Sequence, residues 1–175
     1  MVFVCWNSGG VMSDHESIQP LVYRHGRGSD EAHRRDEALY VRLLADHGAL
    51  KRVTERLPNG IRALTTSENP ELVQVLQAHA TGMEQRFGQG RAIRSWDPLF
   101  SALFEYRDAL SVTLRNIPDG VETLMTADDP KLVELIHCND LTLHQFVQHG
   151  VEASKNRSTV PDWVLEAYRQ DTDAR

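Results

Sequence analysis

Shifted by sixty residues, this 175-residue chain lies on itself without a gap. "LPNGIRALTTSENPELVQVL" (57–76) falls on "IPDGVETLMTADDPKLVELI" (117–136), and "LYVRLLADHGAL" (39–50) on "LFSALFEYRDAL" (99–110). Turn, cap and core residues repeat together: Pro58 with Pro118, Gly60 with Gly120, Pro70 with Pro130, Leu72 with Leu132, Gly90 with Gly150. The fold must therefore be one that two copies of a single supersecondary unit can share.

Each unit reads as helix, strand, strand, helix. In the second, Asp97 and Pro98 suit a helix N-cap and first position, where the donor that proline lacks would be unpaired anyway. Leu99, Phe100, Leu103, Phe104 and Leu110 then fall on one helical face. "SVTLRNI" and "VETLMTA" flank Pro118-Asp119-Gly120, as "KRVTERL" and "IRALTTS" flank Pro58-Asn59-Gly60, and both read as β-hairpins. The closing helices open on Asn69-Pro70 and Asp129-Pro130 and stop near Gly90 and Gly150. One hairpin buries too little surface to stand alone, whereas two can join edge to edge. The predicted fold is α+β: two tandem αββα repeats forming a four-stranded antiparallel sheet packed with helices about a pseudo-twofold axis. A mostly helical protein, with each first helix running on through the first strand, is the competing reading.

The predicted organisation is an N-terminal extension (1–28), a first repeat (29–90), a second repeat (91–150) and a C-terminal tail (151–175), the repeats forming one domain. The first helix should begin from a cap at Ser29 or Asp30, and the tail should carry a short helix after Pro161 anchored by Trp163 and Leu165. The stretch before Met12 has neither a basic leader region nor the length to span a bilayer, and reads as a tail or alternative start. Cys5 and Cys138 form no paired-cysteine motif, which suits a reducing, cytoplasmic setting.

Nineteen basic residues against 25 acidic leave a formal charge of −6, which argues against nucleic acid or an anionic membrane as the partner. The basic cluster at Arg24, His25, Arg27, His33, Arg34 and Arg35 is interleaved with Asp30, Glu31, Asp36 and Glu37 and reads as a solvated face.

The patterns "GIRALTTSENPELVQVLQAHA" and "DPLF", with the echo "GVETLMTADDPKLVELI", resemble a group of duplicated bacterial proteins of unassigned function that carry a TSDDP-type repeat. The likeness covers roughly residues 38–150. Those proteins are histidine-rich at positions matching His47, His79 and Asn139, which implies haem or metal binding. This chain departs from the pattern at Asn139.

The chemistry centres on the helix from Asn69. His79 and Met83 lie four apart within its apolar stripe, a spacing that can turn an imidazole and a thioether toward a transition metal or a haem. His79 matches Asn139 in the second repeat and Ala80 matches Asp140, so both copies place a polar group on an apolar face. A buried polar group without a partner costs about 1–3 kcal/mol, so a polar position kept in both copies needs an explanation. Two stay open: a structural network in which His79 pairs with Asn139 or Asp140 across the pseudo-axis, or a pocket lined by His79, Met83, Asn139 and Asp140. His47, one turn past Leu43, is a further candidate ligand, although a histidine at a helix C-terminus is also favoured by the helix dipole. No GxSxG, Walker, GxGxxG or HExxH pattern is present. The expected function is non-enzymatic binding of a metal, haem or other small molecule between the repeats. The alternative is an interaction or homodimerisation module whose core histidine is purely structural.

Overall fold

The computed structural model describes residues 31–91, 94 and 96–173. The expected N-terminal extension, the cap at Ser29 or Asp30, and Cys5 lie outside the described residues. The first unit comprises α1 (Glu31–Ala45), β1 (Leu50–Leu57), β2 (Gly60–Ser67) and α2 (Pro70–Gln89), and the second α3 (Pro98–Glu105), β3 (Leu110–Ile117), β4 (Gly120–Ala127) and α4 (Pro130–His149). The strands form one antiparallel sheet in the order β1-β2-β4-β3. This is the predicted α+β architecture with its two αββα units. The long-helix alternative fails where the chain leaves each first helix: 3-10 turns at His47–Ala49 and Arg107–Ala109 break the helix before the strand begins.

The register reveals the axis. Ala63 pairs with Thr123, its own equivalent one repeat later, and the flanking pairs Ile61 with Met125 and Thr65 with Val121 exchange under the same shift. The pseudo-twofold axis thus runs through the Ala63–Thr123 pair. The symmetry extends to the turns, since Ser67 donates its N–H to Asp119 O at 2.9 Å and Ala127 donates to Asn59 O at 2.9 Å. Glycine is required where the hairpins meet: a Cβ at Gly60 would stand 2.0 Å from Met125 O, and one at Gly120 2.0 Å from Thr65 O.

Alternation along the strands sends one set of side chains to the helices and the other to an uncovered face. Ile61, Ala63, Val121, Met125 and Ala127 are buried beneath the helices, whereas Val53 and Leu124 remain exposed on the far side. The helix caps form as read. Asn69 Oδ1 accepts from Glu71 N, Asp97 Oδ1 from Leu99 N and Asp129 Oδ1 from Lys131 N, each ahead of a proline in the first turn. Each long helix crosses onto the other repeat: α2 packs on β3 and β4, and α4 on β1 as well as β2 and β4.

Beyond α4, a short helix α5 (Val151–Ser154) leads to α6 (Asp162–Asp173), which packs on α3. Trp163 meets Tyr106 edge-on at 5.6 Å, but the buried anchors are Val164 and Ala167. Leu165, expected to anchor the tail, is exposed, because it lies one residue past the face that touches α3. No helix among the described residues is long and apolar enough to cross a membrane.

Candidate functional site

Helix α2 has two working faces. Leu76, Ala80, Met83 and Phe87 recur at helical spacing and look toward the sheet. His79, Gly82 and Arg86 form the neighbouring stripe, about 100° round the helix, and look toward α1. The His79 ring stacks on Tyr40 with centroids 6.0 Å apart and planes inclined by 23°. Its Nδ1 is enclosed without a hydrogen-bond partner. Burial lowers the His79 pKa to about 4, against the opposing pull of Asp36, so the ring is neutral at physiological pH.

Next to it, Arg86 Nε donates to Asp36 Oδ2 at 2.5 Å, with both side chains about 95% buried (4% and 5% exposed). Gly82 makes room for this pair, since a Cβ there would stand 2.6 Å from Asp36 Oδ1.

A second buried pair joins β1 to α4. Arg52 donates from Nε and Nη2 to Asp140 Oδ1 at 3.1 and 2.7 Å, and from Nη1 to Thr65 Oγ1 at 2.9 Å. Thr54 donates to the same Asp140 oxygen at 2.8 Å and lies 3.1 Å from His144 Nε2. The carboxylate and the hydroxyl approach the same imidazole nitrogen, with Asp140 Oδ2 3.7 Å from Nε2. Both contacts fall on Nε2, whereas in a nucleophile–base relay the carboxylate and the nucleophile meet opposite ring nitrogens.

The third cluster surrounds Arg94, whose backbone has a φ of 65°. Its guanidinium donates to Ser154 O at 2.6 Å, Asn156 O at 2.9 Å and Asp97 Oδ2 at 2.9 Å, and it stands 4.3 Å from the Trp96 ring centroid. Asp97 also accepts from the N–H and hydroxyl of Ser158 at 3.2 and 2.8 Å, which ties the tail to the start of α3.

Between the helices and the sheet lies a cavity of about 470 Å3, within the range of small-molecule sites. Its walls come from equivalent positions of the two repeats: Tyr40 with Phe100, Leu43 with Leu103, Leu44 with Phe104, Met83 with Leu143, and Phe87 with Val147. Leu50, Val112, Leu114, Val121, Thr123 and Met125 line the sheet side. The cavity therefore straddles the pseudo-twofold axis. Polar groups on its wall are Arg52, Thr65, Thr123, Asn139, Arg94, Ser154 and the Tyr40 hydroxyl, with His33, Glu37 and Glu84 contributed by α1 and α2.

Of the residues expected at a shared site, Met83 and Asn139 line this cavity and His79, Asp140 and His47 do not. His79 is turned to α1 by its helical phase, and Asp140 is engaged by Arg52 and Thr54. The proposed pairing of His79 with Asn139 or Asp140 is therefore replaced by separate partners. Asn139 Nδ2 instead lies 3.9 Å from Met125 Sδ. His47 Nδ1 sits 2.8 Å from Val147 O, and a Cβ at Gly150 would collide with the His47 ring. The imidazole that does line the cavity is His33, whose pKa is lowered by burial and by Arg86. Cys138 is half-buried against the core and its thiol pKa is raised by that burial, as expected of a packed thiol. Among the described residues, no three His, Cys, Asp or Glu side chains group closely enough to hold a metal ion.

Sequence reasoning missed Arg52, Tyr40 and Arg94. Arg52 left a signal: it occupies an inward strand position that the second repeat fills with Val112, and an odd charge at a core position implies a buried partner. Arg94 lies in the linker between repeats, where no periodicity applies. Comparison of the chain with protein-family models, with curated proteins and with solved structures finds no match to any of them.

Proposed function

We propose that the protein is a non-enzymatic binder that holds one small, largely apolar molecule in the cavity between its two repeats. The observation that carries this reading is the cavity itself: about 470 Å3 of space bounded by the aliphatic and aromatic side chains of both halves. Interiors normally pack to crystal density, and voids larger than a water molecule are few. A largely apolar space of this size, partly open to its surroundings, leaves the side chains that line it without contacts that a ligand would supply. The polar clusters around it are internally paired, Arg52 with Asp140 and Arg94 with Asp97, so they brace the walls rather than supply a reactive group.

A metal or haem held by His79 and His47 is not part of this proposal, because neither residue lines the cavity. The test is titration with N-phenyl-1-naphthylamine, a neutral probe whose fluorescence rises in apolar surroundings. Saturable enhancement at one probe per chain, abolished in a folded Leu143→Trp variant, is the expected result. Absence of saturable enhancement in the native protein would overturn the reading.

A further inference from the structure

Resting on that reading, we infer that the ligand is a neutral molecule bearing a carbonyl oxygen, which accepts hydrogen bonds from Arg94 Nε and the Tyr40 hydroxyl. Both residues line the cavity, and both carry a buried polar atom that has no hydrogen-bond partner: Arg94 Nε and Tyr40 Oη. The Arg94 side chain is only 9% exposed, and its terminal nitrogens donate to Ser154, Asn156 and Asp97. Arg94 and Ser154 stand close enough to the Tyr40 hydroxyl to counter part of the rise that burial imposes on its pKa. The two unsatisfied atoms thus lie near each other on the lining of a largely apolar space.

The donor set selects the ligand's chemistry. A guanidinium N–H can only donate, and a phenol can donate as well, so the complement is an acceptor with two lone pairs on one atom. A carbonyl oxygen has them, whereas an ammonium or a hydrocarbon does not. Charge then separates a neutral carbonyl from a carboxylate. Around the cavity Glu37 and Glu84, with the partnered Asp97 and Asp140, outnumber Arg52 and Arg94, and the lowered pKa of His33 leaves it uncharged near neutrality. An anion would enter surroundings that are already net negative.

Three matched ligands decide it: 2-acetylnaphthalene, 2-ethylnaphthalene and 2-naphthoate, measured by displacement of N-phenyl-1-naphthylamine from the full chain. The ketone should bind about tenfold more tightly than the hydrocarbon, and the carboxylate more weakly than the ketone. Tyr40→Phe should weaken the ketone severalfold and leave the hydrocarbon unchanged. Equal affinity for ketone and hydrocarbon, tightest binding of the carboxylate, or a Tyr40→Phe variant with an unaltered ketone preference would overturn the inference while leaving an apolar binding site in place. Failure of the probe and all three ligands to bind would overturn the binding function itself.

Discussion

His79 lies flat against Tyr40, ring centroids 6.0 Å apart, at the contact between α1 and α2 and not between the two repeats. An imidazole buried in this position bears on folding. The folded protein holds it neutral down to a pKa of about 4, whereas the unfolded chain takes up a proton near 6.5. Between those values the unfolded state binds more protons, so stability falls as pH is lowered from about 6.5, and the loss is complete near 4. The difference corresponds to a loss of about 3 kcal/mol. His79→Phe keeps the stacking and removes the titration. Urea unfolding at several pH values should show a shallower decline for the variant than for the native protein over this window.

The Asp36–Arg86 pair is the other component of the α1–α2 contact. Arg86→Ala removes the close partner of the buried Asp36 carboxylate, leaving it the 3.9 Å contact with exposed Arg35, and should cost about 3–5 kcal/mol in chemical denaturation. Replacing both partners together, as Asp36→Leu with Arg86→Met, should recover most of that loss, because two matched apolar groups need no desolvation of charge. Gly82→Ala should be destabilising on its own, by about 1–3 kcal/mol, since its methyl would meet the Asp36 carboxylate.

Double-mutant cycles separate the interaction expected across the axis from the one observed. His79 and Asp140 have different partners, so their coupling should lie within about 0.5 kcal/mol of zero. Arg52 and Asp140, joined by two hydrogen bonds, should couple by about 1–3 kcal/mol. A large His79–Asp140 coupling would mean that α2 turns a different face to the core.

Most of the architecture was legible because the signals are local and occur twice. Asn69-Pro70 and Asp129-Pro130 start helices, Pro58-Asn59-Gly60 and Pro118-Asp119-Gly120 turn hairpins, and the sixty-residue shift sets one unit against the other. The site was legible only in part. Met83 and Asn139 do line the cavity, but His79 was placed there by counting it into the stripe of Leu76 and Ala80. His79 lies about 40° round the helix from Met83 but about 100° from Ala80, at the edge of the stripe on the side of Gly82 and Arg86. That phase was available in the sequence, as was the odd Arg52 opposite Val112. The contribution of Arg94 was not available, because its partners Ser154 and Asn156 reach it from a different part of the chain through backbone carbonyls that any residue would present.

Partial filling of the cavity should exchange binding for stability. Ala80→Leu adds apolar volume to existing space and should raise the unfolding free energy by about 0.5–2 kcal/mol while weakening probe affinity. Thermal unfolding and probe titration on the same sample check both halves of this expectation.

In the function proposed above, one ligand occupies a cavity built jointly by the two repeats. Met83 and Leu143 are equivalent positions of the two halves and face that space together. Methyl NMR of both residues during titration with N-phenyl-1-naphthylamine tests the claim directly. Both methyl signals should shift together and saturate at one probe per chain; shifts confined to one half, or methyls that stay unmoved while the probe binds, would rule out a shared site.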